Sequence, residues 1–191
     1  MSTRAQFPPT VPDMDQFRLA RPGPEHAGEL LTVQRAAYVT EAQRYDAPHI
    51  PPLVETLDEV RADLAGDVPA VAAWLGPRLV GSVRGRVDGG GMEIARLTVA
   101  PDQQGHGLGR ALLAAVHAAA PASVQRFWLV TGERSDDHRR LYAAAGYVDT
   151  GSVVDAAGVG LVRMERGRGD PSAQDVSARC GHGSPGGPAG A

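Results

Sequence analysis

Between Met92 and Leu113 the chain reads as a strand, a sharp turn carrying Gly105, Gly107 and Gly109, and then a helix. Alternating glycines let successive backbone N–H groups converge on one point because no Cβ obstructs them. The helix that follows adds the positive end of its dipole. Together these features bind an anion, and a diphosphate is the natural guest. Loops of the Gly-Lys-Ser/Thr type are excluded: the chain has no lysine, so all 19 residues counted as Lys+Arg are arginine. Gln104 and Arg110 flank the turn and can add donors. His106 inside it is either a phosphate neighbour or an exposed loop residue, and a plain β–α turn in which glycine only relieves strain is the alternative reading.

Other chemistries find little support. Cys180 is the sole cysteine, so no internal disulfide can form, and its Gly/Pro/Ser-rich surroundings supply no packed context for a catalytic thiol. No histidines or carboxylates have metal-ligand spacing, so no metal is expected. A net charge of −3 and 5% aromatic residues argue against a nucleic-acid partner. No apolar run has membrane-spanning length and no hydrophobic segment follows Arg4, which leads to the expectation of a soluble, cytoplasmic protein without a membrane partner. The richness in Ala, Gly and Arg without lysine fits a GC-rich bacterial genome.

The elements that must hold the glycine turn follow from periodicity. A length of 191 residues is one domain in the simplest reading. Residues 1–15 read as a disordered leader, 16–166 as the folded unit, and 167–191 as a disordered Gly/Pro-rich tail. Phe17–Ala20 is a first strand. Leu30, Val33 and Ala37 mark a helix from about Glu25 to Thr40. A proline loop (Pro48, Pro51, Pro52) leads to a second helix, capped by Thr56 and striped by Leu57, Val60 and Leu64. Strands follow at Ala70–Leu75, Arg78–Val87 and Glu93–Val99, on which alternation places Glu93, Ala95 and Leu97 on one face. After the glycine turn come a helix (Leu108–Ala119), a central strand (Arg126–Thr131), a helix (Ser135–Ala145) stopped by Gly146, and a hairpin of Tyr147–Val154 with Val159–Glu165. The fold class is therefore α/β: a mixed central sheet with helices on both faces, antiparallel at its start and parallel across the glycine turn.

Two segments in this order resemble the signatures of the GNAT acyl-CoA N-acyltransferases. Gln104-Gly105-His106-Gly107-Leu108-Gly109 is similar to the family's Arg/Gln-x-x-Gly-x-Gly/Ala loop, and Leu97-Thr98-Val99-Ala100-Pro101 to its lead-in strand. Ser135 through Tyr147 is similar to the second signature, with Leu141-Tyr142 and Gly146-Tyr147 in place. The departures are Ser135, where Asn is frequent, and His138 and Arg139, where small residues are usual.

The resemblance implies acetyl-CoA as co-substrate, its pyrophosphate on the N–H groups of Gly105 to Gly109. It implies pantetheine along the main chain of Leu97 and Val99, with the amide near Leu97 polarising the thioester carbonyl. Ser135 either contacts the cofactor or caps its helix, with Asp136 and Asp137 at the positive end. Tyr142 corresponds to the tyrosine that protonates the departing thiolate; the alternative is a structural aromatic. Glu93, eleven positions before Gln104, corresponds to a strand glutamate acting as base in some members; the alternative is a solvated residue beyond the Gly89–Gly91 turn. The acceptor site is expected between the first two helices, where Glu41, Tyr45, Asp46, His49 and Glu55 stand among prolines and whose carboxylates suit a cationic amine; an ordinary polar loop is the alternative. The reading that follows is N-acetylation of a small-molecule amine by a monomer or homodimer. The alternatives are protein N-terminal or lysine acetylation and a catalytically silent CoA-binding module.

Overall fold

The computed structural model describes residues 16–169. The expected leader, most of the expected tail and Cys180 lie outside the described residues.

One seven-stranded sheet carries the fold, in the order β1-β2-β3-β4-β5-β7-β6. Its strands are β1 (Phe17–Ala20), β2 (Ala70–Leu75), β3 (Arg78–Asp88), β4 (Gly91–Val99), β5 (Arg126–Gly132), β6 (Val148–Val154) and β7 (Gly160–Gly167). Every neighbouring pair is antiparallel except β4 and β5. The helices are α1 (Ala27–Tyr45), α2 (Pro51–Val54), α3 (Leu57–Ala65), α4 (Leu108–Ala118) and α5 (Asp136–Ala144). Helices α1 and α3 cover the face on which Arg84 bonds to Gln34 and Asp63. Helix α4 covers the opposite face, where Leu108 and Leu112 pack against the backbone at Gly81. Leu30, Val60, Leu79, Leu112 and Phe127 are buried in the main core. Burial of each such side chain is worth roughly 1.5–3 kcal/mol.

Several elements extend beyond their sequence patterns. Helix α1 continues five residues past Thr40 and ends only where Asp46 turns left-handed (φ 50). The last turn is held by Ala42, which is buried in a small second core with Ala47, Ile50 and Val159. Glu41 and Tyr45 therefore stand on a helix and not in the proline loop. Within that loop Pro51 and Pro52 start the single turn of α2, since proline presets φ at a first helical position. Thr56 caps α3 as expected, and Glu59 completes the capping box. At the far end β7 runs to Gly167, and Arg168 bonds to the carbonyls of Val124 and Gln125, so both residues belong to the fold.

Two irregularities of β4 shape the site. Ser82 pairs with Thr98 and Arg84 with Ala95, so β4 spends three residues where β3 spends two. The extra residue is a bulge around Arg96, whose φ is 54. A bulge reverses side-chain alternation: the face shared by Glu93 and Ala95 continues at Thr98, not at Leu97 as simple alternation had it. In addition, β4 pairs with β5 only over Gly91–Glu93, against Arg126–Trp128. Beyond that point β4 follows β3 to Val99 while β5 follows β7 to Gly132, and the parallel strands part.

Candidate active site

The glycine turn sits where β4 ends. A short 3-10 turn, Pro101–Gln103, is tied to β3 by a two-bond fork from Arg78 to Asp102 (2.7 and 2.8 Å). These hydrogen bonds hold the Asp102 carboxyl well below the usual carboxylate range. Gly105 and Gly107 both adopt φ 82, and Gly107 is the N-cap of α4. Side chains rarely tolerate that conformation, and it turns the backbone amides outward. Among the described residues, the N–H groups of Gly105, His106, Gly107, Leu108 and Gly109 have no hydrogen-bond acceptor; the next amide, Arg110, donates to the Gly107 carbonyl (3.0 Å). Nδ1 of His106 is enclosed without a partner. Leu108 contributes only its main chain, because its side chain is buried in the core. Arg110 is exposed on the first turn of α4. The Gln104 amide folds back onto the Val99 carbonyl (3.1 Å) and away from the turn.

The parting of β4 and β5 places a second set of main-chain groups beside the first. Ala100 donates to Val80 of β3 (2.8 Å), and Thr98 pairs with Ser82. Strand alternation then points the peptide groups of Leu97 and Val99 away from β3, into the gap that β5 has left, the Val99 carbonyl being the one that accepts from Gln104. The sequence reading placed these two residues with the glycine turn, and the structure brings them together.

Through the same gap, side chains from opposite faces of the sheet meet. The Tyr142 side chain, on α5, is buried, and its hydroxyl has no hydrogen-bond partner among the described residues. Burial pushes its pKa well above that of an ordinary phenol, and nearby Tyr38, Tyr147 and Glu41 add to the rise, so the group stays protonated. Tyr38 and Glu41 both lie on α1. Such reach from α1 to α5 exists because no strand pairing closes the sheet between them. Glu41 is held by the Ser135 hydroxyl and by Arg44 (2.9 Å). Ser135 is fully buried and its side chain does not cap α5. The expected cap is displaced by this bond to Glu41, a carboxylate being the stronger acceptor.

Tyr45 accepts the Arg134 amide (2.6 Å), and the Arg134 guanidinium lies over its ring at 4.4 Å. Tyr45, Asp46 and His49 line a pocket of ≈ 530 Å³ with Glu133, Arg134 and the β6–β7 turn. Glu55 does not join them. It is buried, bonded to Arg84 and Gln34 (both 2.6 Å). Burial alone would raise its pKa, but those hydrogen bonds and the Arg84 and Arg96 charges outweigh it and keep Glu55 ionised. Glu93 stands at the foot of the gap, half-buried, opposite Arg86, with no hydrogen-bond partner among the described residues. Sequence reasoning missed Tyr38 and Arg96. Neither lies in a motif, and only the helix register and the bulge bring them to the gap.

The family model described as an acetyltransferase (GNAT) domain matches residues 43–167. No curated protein matches the chain by sequence. Among solved structures, the PaiA N-acetyltransferase from Thermoplasma acidophilum, in complex with coenzyme A, superposes with a TM-score of 0.64 at 15% identity, covering 79% of this chain and 98% of that one. An N-acetyltransferase from Staphylococcus aureus Mu50 gives 0.67 at 13% identity, over 80% and 98%. The ribosomal-protein-S18-alanine N-acetyltransferase from Escherichia coli gives 0.62 at 14% identity, over 79% and 93%. At such identities the superpositions speak for the fold, a mixed sheet opened between its parallel strands. With the family match spanning most of the chain, they lead to one conclusion: this chain belongs to the GNAT acetyltransferase family.

Proposed function

We propose that this protein transfers an acetyl group from acetyl-CoA to a primary amine of a small molecule, by direct attack of the amine on the thioester. The observation that carries this reading is the pair of open main-chain surfaces: five amides without acceptors at the start of α4, continuous with the unpaired edge of β4. The first suits a pyrophosphate and the second the amides of a pantetheine arm. Acetyl-CoA supplies the activated acetyl group when bound. The amide near Leu97 is the donor for the thioester oxygen, and one such preorganised donor is worth about 3 kcal/mol.

Two side chains then move protons. A lysine-like amine has a pKa of about 10.4, so attack at neutral pH needs a base. Glu41 is committed to Ser135 and Arg44, whereas Glu93 is unpartnered and on the face that α1 and α3 cover, which favours Glu93, directly or through one water. Tyr142 holds a proton where a leaving thiolate needs one. Its hydroxyl has no partner among the described residues and is free to bond to such a group, which supports that role. For the acceptor, the pocket lined by Tyr45, Asp46 and His49 has the volume of a small-molecule site, which favours a small amine over a protein chain. The test is a screen of primary amines with acetyl-CoA, following thiol release, with Tyr142→Phe as control. Thiol release that depends on an amine and drops in the variant supports the reading. Coenzyme A binding without turnover of any amine or peptide would leave a silent binding module instead.

A further inference from the structure

Beneath α1 and α3 lies a buried ionic cluster that the proposed chemistry does not use. Arg84 of β3, 2% exposed, donates to Glu55 (2.6 Å), Asp63 (2.7 Å) and Gln34 (3.0 Å). Arg86 approaches the same Asp63 carboxylate at 3.7 Å, and Arg96 reaches Glu55 through Nε at 3.3 Å. Three guanidinium groups thus crowd two carboxylates, and Glu93, opposite Arg86, is the next carboxylate on the same face. Arg35, which donates to the main-chain oxygen of Glu55 (2.9 Å), adds a further cation at the rim.

Arg96 is where that cluster meets the site. Its side chain is 21% exposed, and its terminal nitrogens donate to nothing among the described residues. Its backbone is left-handed (φ 54), a conformation unfavourable for a non-glycine residue. The bulge holds it one residue before Leu97, at the open edge of β4. Tyr38, beside the gap, feels Arg96 as its strongest neighbouring charge. A fixed guanidinium here repels a plain ammonium acceptor. It suits a molecule that carries an anion next to its amine, because the two terminal nitrogens form a ready fork for carboxylate or phosphate oxygens.

Resting on the N-acetyltransferase reading, we infer that the acceptor bears an anionic group, a carboxylate or a phosphate, close to its amine, and that Arg96 binds it. Calorimetry on the coenzyme A-saturated protein tests this with matched probes: β-alanine against β-alaninamide, and O-phosphoethanolamine against ethanolamine. At least one anionic probe should bind tenfold or more tightly than its neutral partner, and the better of the two names the anion. Arg96→Gln should reduce that preference below threefold. Arg96→Lys, which keeps a charge beside Glu55 and guards against misfolding, should lose most of it because the fork is gone. Equal affinities within both pairs in the wild type, or a preference that survives in a folded Arg96 variant, overturns the inference. Thiol release is followed on the same samples. Its absence with every amine tells against the N-acetyltransferase reading alone, since the binding preference is measured without turnover.

Discussion

Replacing Gly105 by alanine separates the binding surface from the fold. At φ 82 an added Cβ meets nothing within 4 Å, so the substitution creates no clash inside the protein. Its cost is conformational, about 1–2 kcal/mol for a left-handed non-glycine residue, partly offset by about 0.4–1 kcal/mol from a less flexible unfolded chain. A net loss near 1 kcal/mol should lower Tm by about 2–4 °C in a domain of this size. Binding should suffer far more. Either the Cβ stands in the space that a phosphate needs, or φ relaxes and the adjoining amides swing away. Losing one charge-assisted hydrogen bond costs about 1.5–3 kcal/mol, which is roughly ten- to hundredfold in Kd. Gly109 is the internal control: a Cβ there meets Leu141 at 3.6 Å and Val99 at 3.8 Å, ordinary contact distances. Isothermal titration with coenzyme A and a thermal melt read both quantities. If Gly105→Ala binds coenzyme A within twofold of wild type, or no more weakly than Gly109→Ala, the amides are not the anion site.

Three further outcomes follow from the geometry. Tyr142→Phe removes a hydroxyl with no partner among the described residues, so stability should hold while kcat falls tenfold or more and KM for acetyl-CoA barely moves; an unchanged kcat dismisses Tyr142 as the proton donor. Glu93→Gln removes the proposed base, so kcat/KM at pH 7 should fall by about 10²-fold or more and the rise of rate with pH should shift upward toward the amine's own pKa; superimposable pH profiles would discard Glu93. His117, half-buried beside Arg166 and bonded to Tyr147 (2.7 Å), has its pKa pushed down to about 4, first by loss of water around the ring and then by the arginine. The unfolded chain takes up a proton below about pH 6.5 that the folded protein refuses, so stability falls as pH drops through that window, by about 2–3 kcal/mol at pH 4.5. Urea unfolding at pH 7.5 and 4.5 should show a smaller acid loss in His117→Gln, and equal losses would contradict the assignment.

The glycine turn, the order of strands and helices, and the place of Tyr142 on its helix were legible in the sequence. Each depends on local rules: glycine at positive φ, hydrophobic periodicity and turn residues act within a few neighbours. Thr56 with Glu59 is a capping box readable from letters alone. What the letters could not show is long-range. The extension of α1 to Tyr45 depends on Ala42 packing against Ile50 and Val159, and that extension carries Glu41 to Ser135 across the sheet. The bulge at Arg96 is a register difference between two strands, invisible within either one, and it moves Leu97 off the face of Glu93. The open site itself exists because β4 stays with β3 and β5 with β7 beyond Glu93, and hydrogen bonds between segments far apart in sequence decide that divergence.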